Sequence, residues 1–166
     1  VKVSEKDSTQ RRKGFAMGAK PMLILIKRNI SIYCENKIKK TMHENELAKI
    51  VFECGMKIHR TLGPGLLESA YEACLHYELL KHNLHVEKQV PMPLIYEEVK
   101  LEAGYRIDLK VENKLIIEVK SVEGLNDLHM AQILTYLRLS ECKLGLLLNF
   151  NSVLFKDGVR RVVNGL

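Results

Sequence analysis

Leu47, Ile50, Val51, Cys54, Ile58 and Leu62 recur at the three- and four-residue spacing of a helix buried along one stripe. Thr41-x-x-Glu44 reads as a capping box that opens this helix, and Gly63-Pro64-Gly65 stops it. A second helix is predicted over about 66–82, with Leu67, Ala70, Tyr71, Cys74 and Leu75 facing inward. A strand follows around 86–96. Its Pro91 and Pro93 alternate with Val90, Met92 and Leu94, which suits an edge or a bulge rather than a fully paired position. A hairpin over about 101–111 and 114–121 comes next, then a helix over about 126–140 with Met130, Ile133, Leu134 and Leu137 on its buried face. The apolar run 144–150 reads as a buried strand. The tail, 153–166, is expected to hold a short strand, a turn at Asp157-Gly158 and a final basic turn. No internal repeat interrupts this order. One helix followed by an α-β-β-β-α-β series predicts an α/β fold, a small mixed sheet flanked by helices.

The hairpin is the most informative segment. Tyr105-Arg106-Ile107-Asp108-Leu109-Lys110-Val111 and Leu115-Ile116-Ile117-Glu118-Val119-Lys120 are apolar enough to be buried, yet hold Asp108, Glu118 and Lys120 within them. Side chains alternate faces along a strand, so Glu118 and Lys120 share one face. Everything then depends on the turn. A three-residue loop at Glu112-Asn113-Lys114 sets Asp108 opposite Glu118, whereas a two-residue loop puts it on the other face. In the first case two carboxylates and an ammonium converge, and the acids repel unless a proton or cation lies between them. Mg²⁺ is usually bound by one or two carboxylates with waters and substrate phosphate. The competing explanation is a cross-strand charge cluster on a solvated face.

Charge is unevenly spread. Residues 1–40 hold 11 Lys/Arg against 3 Asp/Glu, and the remaining 126 residues hold 15 against 17. The net charge of +6 thus describes the leading segment, and gives no argument that the body grips a polyanion. Residues 1–40 are expected to form a basic extension, disordered over its first half, with 22–26 and 30–33 able to form an added strand or hairpin. Met42 is expected near the start of the domain proper, residues 41–166. Glu5 and Asp7 disfavour a mitochondrial targeting segment. The longest apolar runs are too short to span a bilayer. Cys34, Cys54, Cys74 and Cys142 are far apart with no C-x-x-C, and with neither metal spacing nor a recognisable secretory leader they are expected to be small buried hydrophobes in a reducing compartment. A soluble cytoplasmic protein is the expectation, with its oligomeric state open.

Several other residues carry two readings each. Glu68 lies in the first turn of the second helix, where an acid favours the dipole whatever else it does. Tyr71 suits the core, and His59 suits a hydrogen-bonded structural role beside the Gly-Pro-Gly turn. Gln132 and Tyr136 lie four apart on one helix face, and a functional role would have their amide and phenol reach over the sheet towards the hairpin's polar patch. Solvent exposure is the simplest account of Gln132.

Taken jointly, Asp108, the Glu118-x-Lys120 strand and the element order resemble the PD-(D/E)XK nuclease superfamily, with Ile107 where the signature has proline. Gln132 and Tyr136 are similar to the Q-x-x-x-Y helix of its RecB-type and lambda-type exonucleases. Gly65-Leu66-Leu67-Glu68-Ser69-Ala70-Tyr71 resembles the G-x-x-E-x-x-Y motif of one small prokaryotic group within it. The resemblance runs from about Met42 to Leu166. It implies a restriction-endonuclease-like core and a Mg²⁺- or Mn²⁺-dependent nuclease, with DNA favoured as the nucleic-acid partner. It further implies metal binding by Asp108, Glu118, the Val119 carbonyl and Glu68, directly or through water. Lys120 would act on water and transition-state charge, and Gln132 and Tyr136 would hold phosphate or support the lysine. The alternative it leaves is a catalytically inactive nuclease-fold binding module.

Overall fold

The computed structural model describes residues 42–101 and 104–165. Expectations for 1–40, for Thr41 and for the strand segments at 22–26 and 30–33 lie outside the described residues. Helix α1 is Glu44–Leu62 and α2 is Glu68–Lys81. Strands β1 (Val86–Pro91), β2 (Leu94–Tyr96), β3 (Val99–Leu101), β4 (Arg106–Val111) and β5 (Leu115–Lys120) follow. Helix α3 (Asp127–Leu139) crosses to β6 (Leu144–Asn149), and β7 (Val159–Val163) ends the fold. Five strands form one mixed sheet in the order β1-β4-β5-β6-β7, parallel only between β5 and β6, while β2 and β3 pair as a separate ribbon. The predicted α-β-β-β-α-β order is present, preceded by one helix.

Some boundaries differ from the pattern-based ones, each for a local reason. Helix α1 begins at N-cap His43, whose backbone N–H donates to Glu46 Oε2 at 2.9 Å, so the box sits two residues later than Thr41-x-x-Glu44. Leu62 and Leu67 are exposed rather than inward, because both flank the Gly-Pro-Gly turn, where Gly63 and Gly65 have φ of 70° and 105°. That backbone region costs L side chains dearly, so the chain leaves the helical face there. The expected 86–96 strand ends at Pro91, and its remainder joins β2. The hairpin's first strand starts at Arg106, not near Leu101, which belongs to β3. In the tail the turn comes first, as a 3-10 segment over Phe155–Gly158, and the supposed basic turn is β7 itself.

The sheet is covered on both faces. Leu47, Val51, Cys54 and Ile58 of α1 and Tyr71, Leu75 and Leu79 of α2 pack on Leu109, Val111, Leu115, Ile117, Val119, Leu144, Leu146 and Leu148. Ile133, Tyr136 and Leu137 of α3 pack on Ile107, Ile116, Leu147 and Val162. Gly145 lets α3 approach: a Cβ there would meet Ile133 Cδ1 at 2.8 Å. Both faces of β5 and β6 are thus dry, which explains their nearly unbroken apolar sequences. As expected, β1 is an edge strand, so its proline needs no second ladder. Among the described residues no helix is long and apolar enough to cross a membrane. Cys54 and Cys142 are buried free thiols.

The entry to α2 is pinned from inside. Tyr71 is fully buried, stacks on Phe150 at 4.4 Å between ring centroids, and donates to Gly63 O at 2.6 Å while accepting from Leu66 N at 3.1 Å. Its phenol therefore closes the Gly-Pro-Gly turn against the helix, the core role expected of it. Tyr71→Phe leaves the ring packing and strips both bonds, so urea unfolding should show a loss of about 1–2 kcal/mol.

Candidate active site

The turn that decides the hairpin has three residues. Val111 pairs with Leu115, Lys110 with Ile116 and Leu109 with Ile117, a register whose next step sets Asp108 against Glu118. Glu112 and Asn113 both take left-handed φ, and Lys114 N donates to Val111 O at 3.0 Å. The loop is also tied to the start of β1: Glu112 Oε1 accepts from His85 N at 2.7 Å.

At Asp108 the regular sheet stops on both sides. The β4–β5 ladder ends at Leu109↔Ile117, and in its place Asp108 Oδ2 accepts from Val119 N at 2.8 Å. The β1–β4 register runs through Lys88↔Leu109 and resumes at Val90↔Ile107, omitting the row of Gln89 and Asp108. Leu109 and Val111 pack with α1 and α2, whereas Ile107 packs with α3. A regularly alternating strand would keep all three on one face, so β4 turns over at Asp108. Gln89 takes φ of 50° there, a left-handed conformation that costs a non-glycine residue on the order of 1–2 kcal/mol.

Glu118 is 1% exposed, on the central strand of the sheet. Its Oε2 lies 3.4 Å from Lys120 Nζ, and its Oε1 has no hydrogen-bond partner among the described residues. Burial first, and then the repulsion of Asp108, push its carboxyl up to about 8, against the pull of Lys120. Asp108 is also raised from its ordinary value by burial, less so because the Val119 N–H holds the charged form. Burial likewise raises the Tyr136 phenol, which feels Glu118, Asp108 and Lys120 and accepts from Gln132 Nε2 at 2.9 Å. Gln132 is therefore half-buried and engaged, not a free surface residue.

Asp108, Glu118, Lys120, Gln132 and Tyr136 thus come together at the split between β4 and β5. Glu68 does so only in part. It acts electrostatically on Asp108, but its Oε1 accepts from Ser121 N at 2.9 Å, just beyond Lys120. Among the described residues no three His, Cys, Asp or Glu side chains are grouped to hold one ion. The expected set of Glu68, Asp108 and Glu118 is accordingly not a three-carboxylate cage. Two carboxylates, one with a buried oxygen that no donor among the described residues meets, still fit a hard divalent ion, which takes its other ligands from water and phosphate. Val119 can add a backbone oxygen. Lys120 O accepts from Phe150 N of the β6 side at 2.8 Å, so by strand alternation the Val119 carbonyl faces β4 and the gap.

Comparison with protein families decides the kinship: residues 45–162 match the model of the PD-(D/E)XK nuclease superfamily. The chain belongs to this superfamily. Neither curated proteins nor solved structures returned a match. The mixed five-stranded sheet flanked by helices is the restriction-endonuclease-like fold expected of a PD-(D/E)XK domain, and the matched range contains Asp108, Glu118 and Lys120.

Four residues near the site escaped the sequence reading. Glu72 is 8% exposed, and Gln89 Nε2 donates to its Oε2 at 2.7 Å and to Asp108 Oδ1 at 3.4 Å. Glu72 lies one turn after Glu68, a spacing that could have flagged it; nothing in the sequence marks Gln89. Ser121 grips Glu68 and also Leu66 O, at 2.7 Å. Asn149, buried, clamps Val122 through both its amide atoms, at 3.1 and 2.8 Å.

The Glu118 shift has a direct consequence without metal. Folded protein keeps the Glu118 proton up to about pH 8, while the unfolded chain releases it near 4.5. Between those values the folded state binds more protons, so stability falls as pH rises. Urea unfolding in EDTA should show wild type losing about 2–4 kcal/mol relative to Glu118→Gln between about pH 5 and about pH 8. A constant difference across that range removes the buried, proton-holding Glu118.

Proposed function

We propose that this PD-(D/E)XK domain is a Mg²⁺- or Mn²⁺-dependent nuclease that hydrolyses phosphodiester bonds, with DNA as substrate. The observation that carries the reading is the buried Glu118 beside Asp108 and Lys120, with one carboxylate oxygen that no donor among the described residues satisfies. Asp108, Glu118 and the Val119 carbonyl would hold the ion, and Glu68 would contribute through water. A divalent ion in this position supplies Lewis acidity to the phosphoryl oxygens and to the attacking water.

The chain's own groups account for the rest of the chemistry. Asp108 is kept in one orientation by the Val119 N–H, so its carboxylate is organised before substrate arrives. Lys120 is 14% exposed at its side chain and sits against Glu118, where its ammonium orients water and offsets charge growing on the phosphate. Gln132 and Tyr136, bonded to each other, hold a phosphate oxygen or support the lysine. The G-x-x-E-x-x-Y segment fits a narrower placement within the superfamily. In it Tyr71 closes the turn, Glu68 secures the exit of β5 through Ser121, and residues 41–166 form the working domain behind a basic extension at 1–40.

With Mg²⁺, purified protein should cut single-stranded, duplex or branched DNA. Asp108→Ala and Lys120→Ala should each reduce cutting by about a hundredfold to a thousandfold while leaving the circular dichroism spectrum unchanged. Full activity in both variants would remove the nuclease assignment from this site. Mn²⁺ binding by calorimetry without cleavage of any nucleic acid would instead mark a non-catalytic binding module.

A further inference from the structure

Gln89 is the odd residue of the sheet. It lies on an edge strand, in the row where β1 and β4 stop pairing, with a φ that its neighbours do not share. The conformation costs stability, and no packing compensates it, since the residue is exposed. What it achieves is the placement of one amide. Gln89 Nε2 donates at 2.7 Å to Glu72 Oε2 and at 3.4 Å to Asp108 Oδ1. Only the –NH₂ end of an amide can face two carboxylates, so the orientation follows from the chemistry. Glu72 is itself steadied by Lys88 Nζ, 3.6 Å from its Oε1.

We propose that Gln89 is a positioning residue for Asp108, its amide anchored on Glu72 and presented to the oxygen that Val119 does not hold. Asp108 then has one oxygen fixed by a short backbone bond and the other by a long, weak one. The short bond sets the rotamer. The long one limits rotation about it, yet yields easily when a cation takes that oxygen. Glu72 anchors the Gln89 amide, and its charge also bears on Asp108 directly. The inference rests on the nuclease reading for its consequence in turnover, but not for the positioning itself.

Gln89→Gly separates backbone from amide, because glycine accepts the left-handed φ while removing the donor. The variant should melt at or above the wild-type temperature. Its Val119 amide proton should exchange roughly tenfold faster as Asp108 loosens, and Mn²⁺ affinity by calorimetry should fall about tenfold, the usual effect of removing a support behind a metal-binding carboxylate. On DNA, kcat should drop by a similar factor at unchanged KM. Gln89→Asn, which also tolerates this conformation and keeps an amide, should recover part of each effect. A merely structural glutamine would change the melting temperature and none of the others. Unchanged Val119 exchange in Gln89→Gly overturns the proposal, as does unchanged Mn²⁺ affinity where wild type binds the ion. If wild type neither binds Mn²⁺ nor cuts, the nuclease reading fails by itself, and Val119 exchange still decides whether Gln89 positions Asp108.

Discussion

The hydrogen bond from Val119 N–H to Asp108 Oδ2 takes the place of a backbone rung, and the site is organised around that substitution. A β-sheet is stiff because every strand is tied to its neighbours by regularly spaced bonds. Opening it anywhere exposes N–H and C=O groups that must find partners. Here both ladders of β4 are intact at Leu109 and lapse at Asp108: the one to β1 resumes in the next row, while the one to β5 ends. The side chain of Asp108 satisfies one orphaned N–H, and the carbonyl beside it is left facing the gap. A polar cleft is thereby cut into a sheet otherwise dry on both faces, at the least cost in unpaired groups.

The position of Glu118 follows from the same geometry. Central strand β5 is paired to β4 on one side and to β6 on the other, with α1 and α2 on one face and α3 on the other. A carboxylate there cannot reach bulk water, and Lys120 at 3.4 Å satisfies only one of its oxygens. The group therefore requires either a proton or a second positive charge. Stability alone would favour an apolar residue like its neighbours Ile117 and Val119, since a buried carboxylate with an unpaired oxygen is expensive. A cost of this kind, next to a second acid and an amine, is concentrated at functional sites, where perturbed carboxyls cluster.

What was legible in the sequence divides along the same line. The hairpin register could be framed from alternation, but loop length left two faces open for Asp108. Only the left-handed Glu112-Asn113 pair and the tie to His85 settle it. The helix over 127–139 was readable from its apolar stripe alone; the Asn126 cap, whose Oδ1 accepts from His129 N at 3.1 Å, is seen only in the structure. Leu62 and Leu67 were misplaced because periodicity ignores a turn that rotates the chain off its face. The Gln89–Glu72 support was invisible for a deeper reason. It depends on a backbone angle that glutamine rarely adopts and on two elements joined only in three dimensions. Local pattern carries neither.

The exit of β5 shows why the lysine can be so close to Glu118 without collapsing onto it. Lys120 is fixed by its carbonyl to Phe150 N. The next residue, Ser121, is held from two directions by Glu68 and Leu66, and Val122 by the buried amide of Asn149. Three successive residues are thus secured to the α2 entry and to the end of β6, and the Lys120 backbone cannot drift. Glu68 gains a meaning that a simple list of acids obscures. It connects the Gly-Pro-Gly turn, already closed by Tyr71, to the strand that carries Glu118 and Lys120. The turn, the first turn of α2 and the end of β5 are consequently joined by side-chain bonds, and one of them, from Tyr71, starts in the hydrophobic core itself.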